Sequence, residues 1–181
     1  GRWVLAVDIT AGNLLIDTRS GTVTSIPGYS GAFVADGRLL LGGASEPMRW
    51  YDPTSGRLGD SYPNARDPAV MVATPDGQEV LRVASDGSVE LVDLVTGERI
   101  GPRLATGMTG PLLAPPGVAM ADDGTFAVIG TGSQRAVRIE LDPDEWVELA
   151  CAAAGRELTR DEWQRYLGAI APYEATCPRR T

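Results

Sequence analysis

Apolar residues fall along this chain in short runs separated by clusters of Asp, Gly, Ser and Pro, a pattern that predicts many brief strands joined by turns. The runs keep a register. They begin at Trp3, Arg38, Glu79 and Phe126, and fourteen residues after each start comes an acidic residue: Asp17, Asp52, Asp93 and Glu140. Three of these open the same turn pattern, Asp17 to Gly21, Asp52 to Gly56 and Asp93 to Gly97, each with a Ser or Thr just before the Gly. The fourth, Glu140-Leu141-Asp142-Pro143-Asp144, is degenerate. A second marker agrees: Asp36-Gly37, Asp76-Gly77 and Asp123-Gly124 each lie immediately before a run. Gly accepts positive φ and the Asp carboxylate satisfies local backbone donors, so both markers predict tight turns. A turn role therefore accounts for Asp17, Gly21, Asp52, Gly56, Asp93 and Gly97 without catalysis.

Each unit thus reads as strand, Asp-Gly turn, strand, loop, strand, Asp turn, strand. In the third unit the strands are predicted near 68–74, 78–84, 88–93 and 98–104. The run starts are spaced by 35, 41 and 47 residues, which brackets the length of a four-stranded propeller blade. The predicted fold is mainly β, a β-propeller of about four blades over residues 1–141. The first unit begins at its second strand and the last has no outer strand. We therefore expect the remaining blades from elsewhere in the same protein, from a second chain or from a symmetry mate.

From residue 142 the period changes from two to 3.6. Asp142-Pro143-Asp144-Glu145 is a helix start, and Trp146, Leu149, Ala150 and Ala153 share one face before Gly155. Thr159 and Glu162 form a second start, followed by Trp163, Tyr166 and Leu167 and ended by Gly168. Residues 142–181 are read as a two-helix segment packed on the last blade. Cys151 and Cys177 stand in the first helix and the tail, and two readings are open: a disulfide clipping the tail to the helix, or two reduced, buried thiols, which a cytoplasmic location favours.

Composition narrows function mostly by exclusion. The net charge is −8 with no basic stripe, which argues against nucleic acid. No apolar run is long enough for a membrane helix. Without His the commonest metal ligand and general base are missing. There is no Gly-Lys-Ser/Thr phosphate loop and no kinase signature. No catalytic, cofactor-binding or metal-binding residue is assigned. The most interface-like cluster is Met48, Arg49, Trp50 and Tyr51, since Trp, Tyr and Arg dominate binding hot spots; packing within the blade is the competing account of the same residues.

The elements Trp50-Tyr51-Asp52-Pro53-Thr54-Ser55-Gly56 and Val92-Asp93-Leu94-Val95-Thr96-Gly97 resemble the Trp-Asp-x-x-Thr-Gly element of WD40 repeats. The Gly-His pair of that family is absent throughout. Over about residues 141–178 the chain also resembles a C-terminal element that follows WD40 repeats in large bacterial regulatory proteins. The matching residues are Cys151, the run Ala154 to Thr159, Glu162-Trp163, Tyr166, Pro172-Tyr173 and Thr176-Cys177-Pro178. The resemblance implies a cytoplasmic scaffold or sensor module that binds protein, downstream of STAND-type or other regulatory domains. An enzymatic alternative, a quinone-cofactor propeller, shares the Asp-x-x-Thr-Gly start. Its repeat places a Trp four residues after the Gly, where this chain has Asp60 and Gly101. A purely structural, ring-closing role is the third reading.

Overall fold

The computed structural model describes residues 1–8, 12–42, 47–62, 68–84, 86–106, 117–130, 135–175 and 177. The chain divides into two compact units, Gly1–Ile139 and Glu140–Thr181.

The first unit is built of antiparallel sheets whose strands neighbour one another in chain order. One sheet has β1 (Trp3–Asp8), β2 (Gly12–Asp17) and β3 (Val23–Ile26). The next has β4 (Ser30–Phe33), β5 (Leu39–Gly42), β6 (Arg49–Asp52) and β7 (Arg57–Ser61). A third has β8 (Pro68–Ala73), β9 (Glu79–Ala84), β10 (Ser88–Asp93) and β11 (Arg99–Ala105), each within a residue of the spans predicted for the third unit. The fourth has β12 (Gly117–Met120), β13 (Phe126–Gly130) and β14 (Ala136–Glu140), the last residue of which opens the second unit. The leading strands β4, β8 and β12 of successive sheets lie side by side. Among the described residues the first sheet lacks a leading strand and the fourth an outer one, as the register of the repeats predicts.

Alternation along β5 shows how the core is shared. Leu39 and Leu41 point into a cluster with Leu15, Ile26 and Tyr51, whereas Leu40 points the other way, among Met48, Tyr62, Val80 and Val92. Every residue of this strand is buried because it has a sheet on both faces.

The repeated turns share one hydrogen-bond scheme. The amides of Gly21, Gly56 and Gly97 donate to the carbonyls of Asp17, Asp52 and Asp93, at 2.8, 2.9 and 3.0 Å. The Asp carboxylates accept in turn from the amides of Arg19, Thr54, Val95 and Thr96. Each of these glycines has φ near +70°, the left-handed region where a Cβ is strained. The shorter Asp-Gly turns are also formed, and an additional one at Asp86-Gly87 joins β9 to β10.

In the second unit, α1 (Pro143–Ala154) is capped by Asp142, whose side chain accepts from the Asp144 amide, and ends at Gly155 with φ +70°. The helix α2 (Arg160–Tyr166) carries a reciprocal capping box between Thr159 and Glu162. Its Trp163 is buried, meets Tyr173 edge to face at 5.6 Å and donates from its indole nitrogen to the Ala171 carbonyl. Cys151 and Cys177 are joined in a disulfide. The apolar faces expected for the two helices are only partly used: α1 buries no residue, Leu149 is 57% exposed, and Tyr166 is 65% exposed. What fixes α1 is its caps, the disulfide and a 2.7 Å bond from the Trp146 indole to the Glu140 carbonyl.

Candidate functional site

The Met48 to Tyr51 cluster does not form one surface. Successive side chains of a strand point to opposite faces, and here both faces are occupied. Met48 is fully buried and Tyr51 is 7% exposed, so both are core residues and not contact residues. Arg49 is exposed and Trp50 is half-buried. What remains of the expected surface is Trp50 with a residue the sequence did not associate with it: the guanidinium of Arg38, on the facing side of the hairpin, lies 4.3 Å from the centre of the Trp50 ring. Trp50 also meets Tyr62 edge to face at 6.1 Å. A depression of about 530 Å³ opens here, lined by Arg38, Trp50, Asp52, Arg57 and Asp60 among others. Asp52 is committed to its turn: the Ser55 hydroxyl and the Thr54 amide hold it, and these bonds keep its carboxyl below the usual carboxylate range. A cation stacked on a ring beside an open depression suits a cationic or aromatic contact more than acid-base chemistry.

A second basin lies on the sheet β8–β11. In the register of β9 and β10, Arg82 stands directly opposite Glu90, and their side chains form an ion pair. The ladder between β10 and β11 is interrupted by a bulge between Val89 and Leu91, and in the bulged segment of β11 Gly101 adopts φ +72°. A bulge re-aims the side chains beside it. Here it brings Arg103 against Glu90, with Nε donating to Oε1 at 2.9 Å, while Arg99 approaches the same oxygen at 3.6 Å. Three guanidinium groups thus converge on one carboxylate. Burial alone would raise the Glu90 pKa; Arg82 and Arg103 outweigh it and hold the carboxyl below its usual range. Arg82 is only 8% exposed and its Nε has no hydrogen-bond partner. The basin, about 610 Å³, is completed by Val92, Gly97 and Glu98.

None of the charged residues of this second basin stands out in the sequence reading, which singles out only Gly97 as a turn residue and Val92 at the start of the Val92–Gly97 element. The signal was present: Arg82 interrupts the apolar run Glu79 to Ala84, Glu90 interrupts Ser88 to Asp93, and pairing Glu79 with Asp93 brings the two face to face. Periodicity alone marks both merely as outward positions.

No family model matches the chain, and no curated protein matches it in sequence. Among solved structures 542 chains match. One is hydrazine synthase from Kuenenia stuttgartiensis, a β-propeller-containing protein, at 18% identity and a TM-score of 0.57. The match covers 77% of this chain and 43% of that chain, so the chain spans less than half the length of this neighbour. The likeness is one of fold. A fold shared this widely carries no activity with it. Among the described residues no helix is long and apolar enough to cross a membrane.

Proposed function

We propose that the first unit is a set of blades from a WD40-type β-propeller acting as a non-catalytic protein-interaction or scaffold module of a larger bacterial regulatory protein. The second unit is then the helical C-terminal element that such proteins carry. The observation that supports this reading most is Arg38 stacked on Trp50 at the open depression. Binding hot spots are built from such Arg and Trp side chains, held on a rigid sheet and left accessible on one side. The repeats supply the scaffold, and their invariant chemistry, the Asp turns, is spent on holding hairpins together.

The test is chemical crosslinking of the full-length protein in its native host, followed by identification of the linked peptides. A partner protein linked near Arg38 or Arg57, and lost in Arg38→Ala with an unchanged melting temperature, supports the reading. Reproducible absence of any protein crosslink to this face rejects it. The edges of β1 and β14 are assigned to further propeller blades, in cis or in trans. Light scattering on a stable, monodisperse monomer of residues 1–181 would reject that assignment.

A further inference from the structure

The two helices of the second unit are held by different means. Trp163 of α2 is 7% exposed; Tyr173 meets its ring edge to face at 5.6 Å, and the Trp163 indole nitrogen donates to the Ala171 carbonyl at 3.0 Å. The Arg160 guanidinium lies 4.5 Å from the centre of the Tyr173 ring. Arg156 donates to both carboxylate oxygens of Glu162, and the Cys177 amide donates to Glu157. These contacts tie the tail to α2 whether or not the cysteines are bonded. Helix α1 lacks such support. It buries no side chain, and its polar contacts outside the helix ladder, the Asp144 amide on Asp142 and the Trp146 indole on the Glu140 carbonyl, span six positions at most among the described residues. What ties α1 to a distant part of the chain is the Cys151–Cys177 bond, 26 residues in reach.

A disulfide and the fold around it are linked, so that the bond stabilises the fold by as much as the fold stabilises the bond. Where the reduced protein keeps its cysteines in place, their high effective concentration resists reduction. Where reduction lets one of them leave, the freed chain entropy favours the thiols. A twelve-residue helix with no buried face melts readily once released. Both cysteines are half-buried, within reach of a small thiol. We propose that Cys151–Cys177 is a redox switch for α1: reduction by a low-molecular-weight thiol turns Pro143–Ala154 from a held helix into a mobile segment, while α2 and the tail keep their fold. One thiolate of the reductant attacks a cystine sulfur, forming a mixed disulfide and freeing the other cysteine. A second attacks the reductant's own sulfur in that mixed disulfide, which releases the oxidised reductant and the second cysteine. Two electrons and two protons thus pass from two small thiols to the cystine. The switch is independent of the protein-interaction reading.

The experiment equilibrates the whole chain with graded mixtures of reduced and oxidised glutathione, approached from both the oxidised and the reduced protein. Alkylation and mass spectrometry give the cystine fraction, and hydrogen exchange follows the peptides of α1 and α2 separately. We expect the bond to open within the range of mixtures, with exchange in α1 rising by about tenfold or more while α2 keeps its protection. Cys151→Ser/Cys177→Ser should show the fast α1 exchange in every mixture. Asp142→Ala removes the α1 cap and touches neither cysteine. It should move the midpoint toward reduction by roughly fivefold, a coupling that a bond independent of the helix does not produce. A bond that stays oxidised in excess reduced glutathione, an α1 that keeps its protection after reduction, loss of α2 protection together with α1, or a midpoint unmoved by Asp142→Ala would each overturn the proposal.

Discussion

The hydroxyl of Tyr62 donates a 2.6 Å hydrogen bond to the backbone carbonyl of Asp93. The two residues are thirty-one positions apart, and the bond ties the end of one sheet to the repeat turn of the next. Tyr62 is buried among Leu40, Met48, Val80 and Val92, so its ring and its hydroxyl act at the same junction. Burial and the neighbouring Asp93 push its phenol pKa upward, which keeps the donor protonated at any ordinary pH.

Tyr62→Phe removes only the donor and should cost about 1 kcal/mol. Tyr62→Ala also empties the ring's volume and should cost about 3–5 kcal/mol. Urea unfolding followed by fluorescence measures both; a Tyr62→Phe variant as damaged as Tyr62→Ala would show that the bond, not the packing, joins the sheets.

The turn aspartates make the first unit acid-labile. Asp17 is lowered to about 2, first by the Arg2 side chain and then by the Arg19 amide. Asp52, Asp76, Asp86, Asp93 and Asp123 are all lowered by hydrogen bonds of their own turns. A carboxyl whose folded pKa lies below its unfolded value stabilises the fold above the unfolded value, and that stability drains away as pH falls toward the folded one. Stability from these groups should therefore be flat from pH 7 to about 5 and decline below about 4. Asp17→Asn should flatten part of the decline between pH 4 and 2. Urea midpoints taken across that range decide it, and an unchanged slope in Asp17→Asn would remove Asp17 from the account.

Glycines differ in what they tolerate. At Gly56 a Cβ has room, its nearest neighbour being the Tyr51 hydroxyl at 3.8 Å, so Gly56→Ala should pay only the left-handed backbone strain of about 1–2 kcal/mol. At Gly28 the backbone has φ +93° and a Cβ would lie 2.5 Å from the Gly42 carbonyl oxygen. That oxygen also accepts the Tyr29 amide, so it cannot retreat without breaking the entry to β4. Gly28→Ala should be markedly more destabilising than Gly56→Ala, read as a lower urea midpoint; equal losses would mean that sterics at Gly28 are relieved by backbone movement.

Legibility in the sequence followed the range of the interaction. The Asp turns, the Asp-Gly hairpins and the caps of Asp142 and Thr159 were readable because each is a local hydrogen-bond device satisfied within a few residues. Strand positions followed from them. The candidate sites were less readable because each depends on which residues stand across a strand pair. Arg38 reaches Trp50 from the residue just before β5, and Arg103 reaches Glu90 only because a bulge at Gly101 shifts its register. A run such as Met48 to Tyr51 looks like one surface in sequence, but alternation sends Met48 and Tyr51 into two different core clusters and leaves Arg49 exposed.

The last prediction concerns the second unit, where so little is buried that covalent and capping terms weigh heavily. The twelve residues of α1 bury no side chain, and an isolated helix of that length is marginal in water. The Cys151–Cys177 bond closes a loop of 26 residues, for which chain entropy gives about 3–4 kcal/mol. The Cys177 amide is also held by the Glu157 carboxylate at 2.8 Å. Reduction should therefore lower the helical signal near 222 nm while leaving the β-sheet unit and its urea midpoint unchanged. Cys177→Ser should reproduce the loss, and Thr159→Ala should add about 1 kcal/mol at α2. Mass spectrometry after alkylation without reductant, under native and denaturing conditions, gives the decisive reading: cysteines that stay unalkylated in both agree with the bond, whereas full alkylation of both would rule it out and fit two reduced thiols.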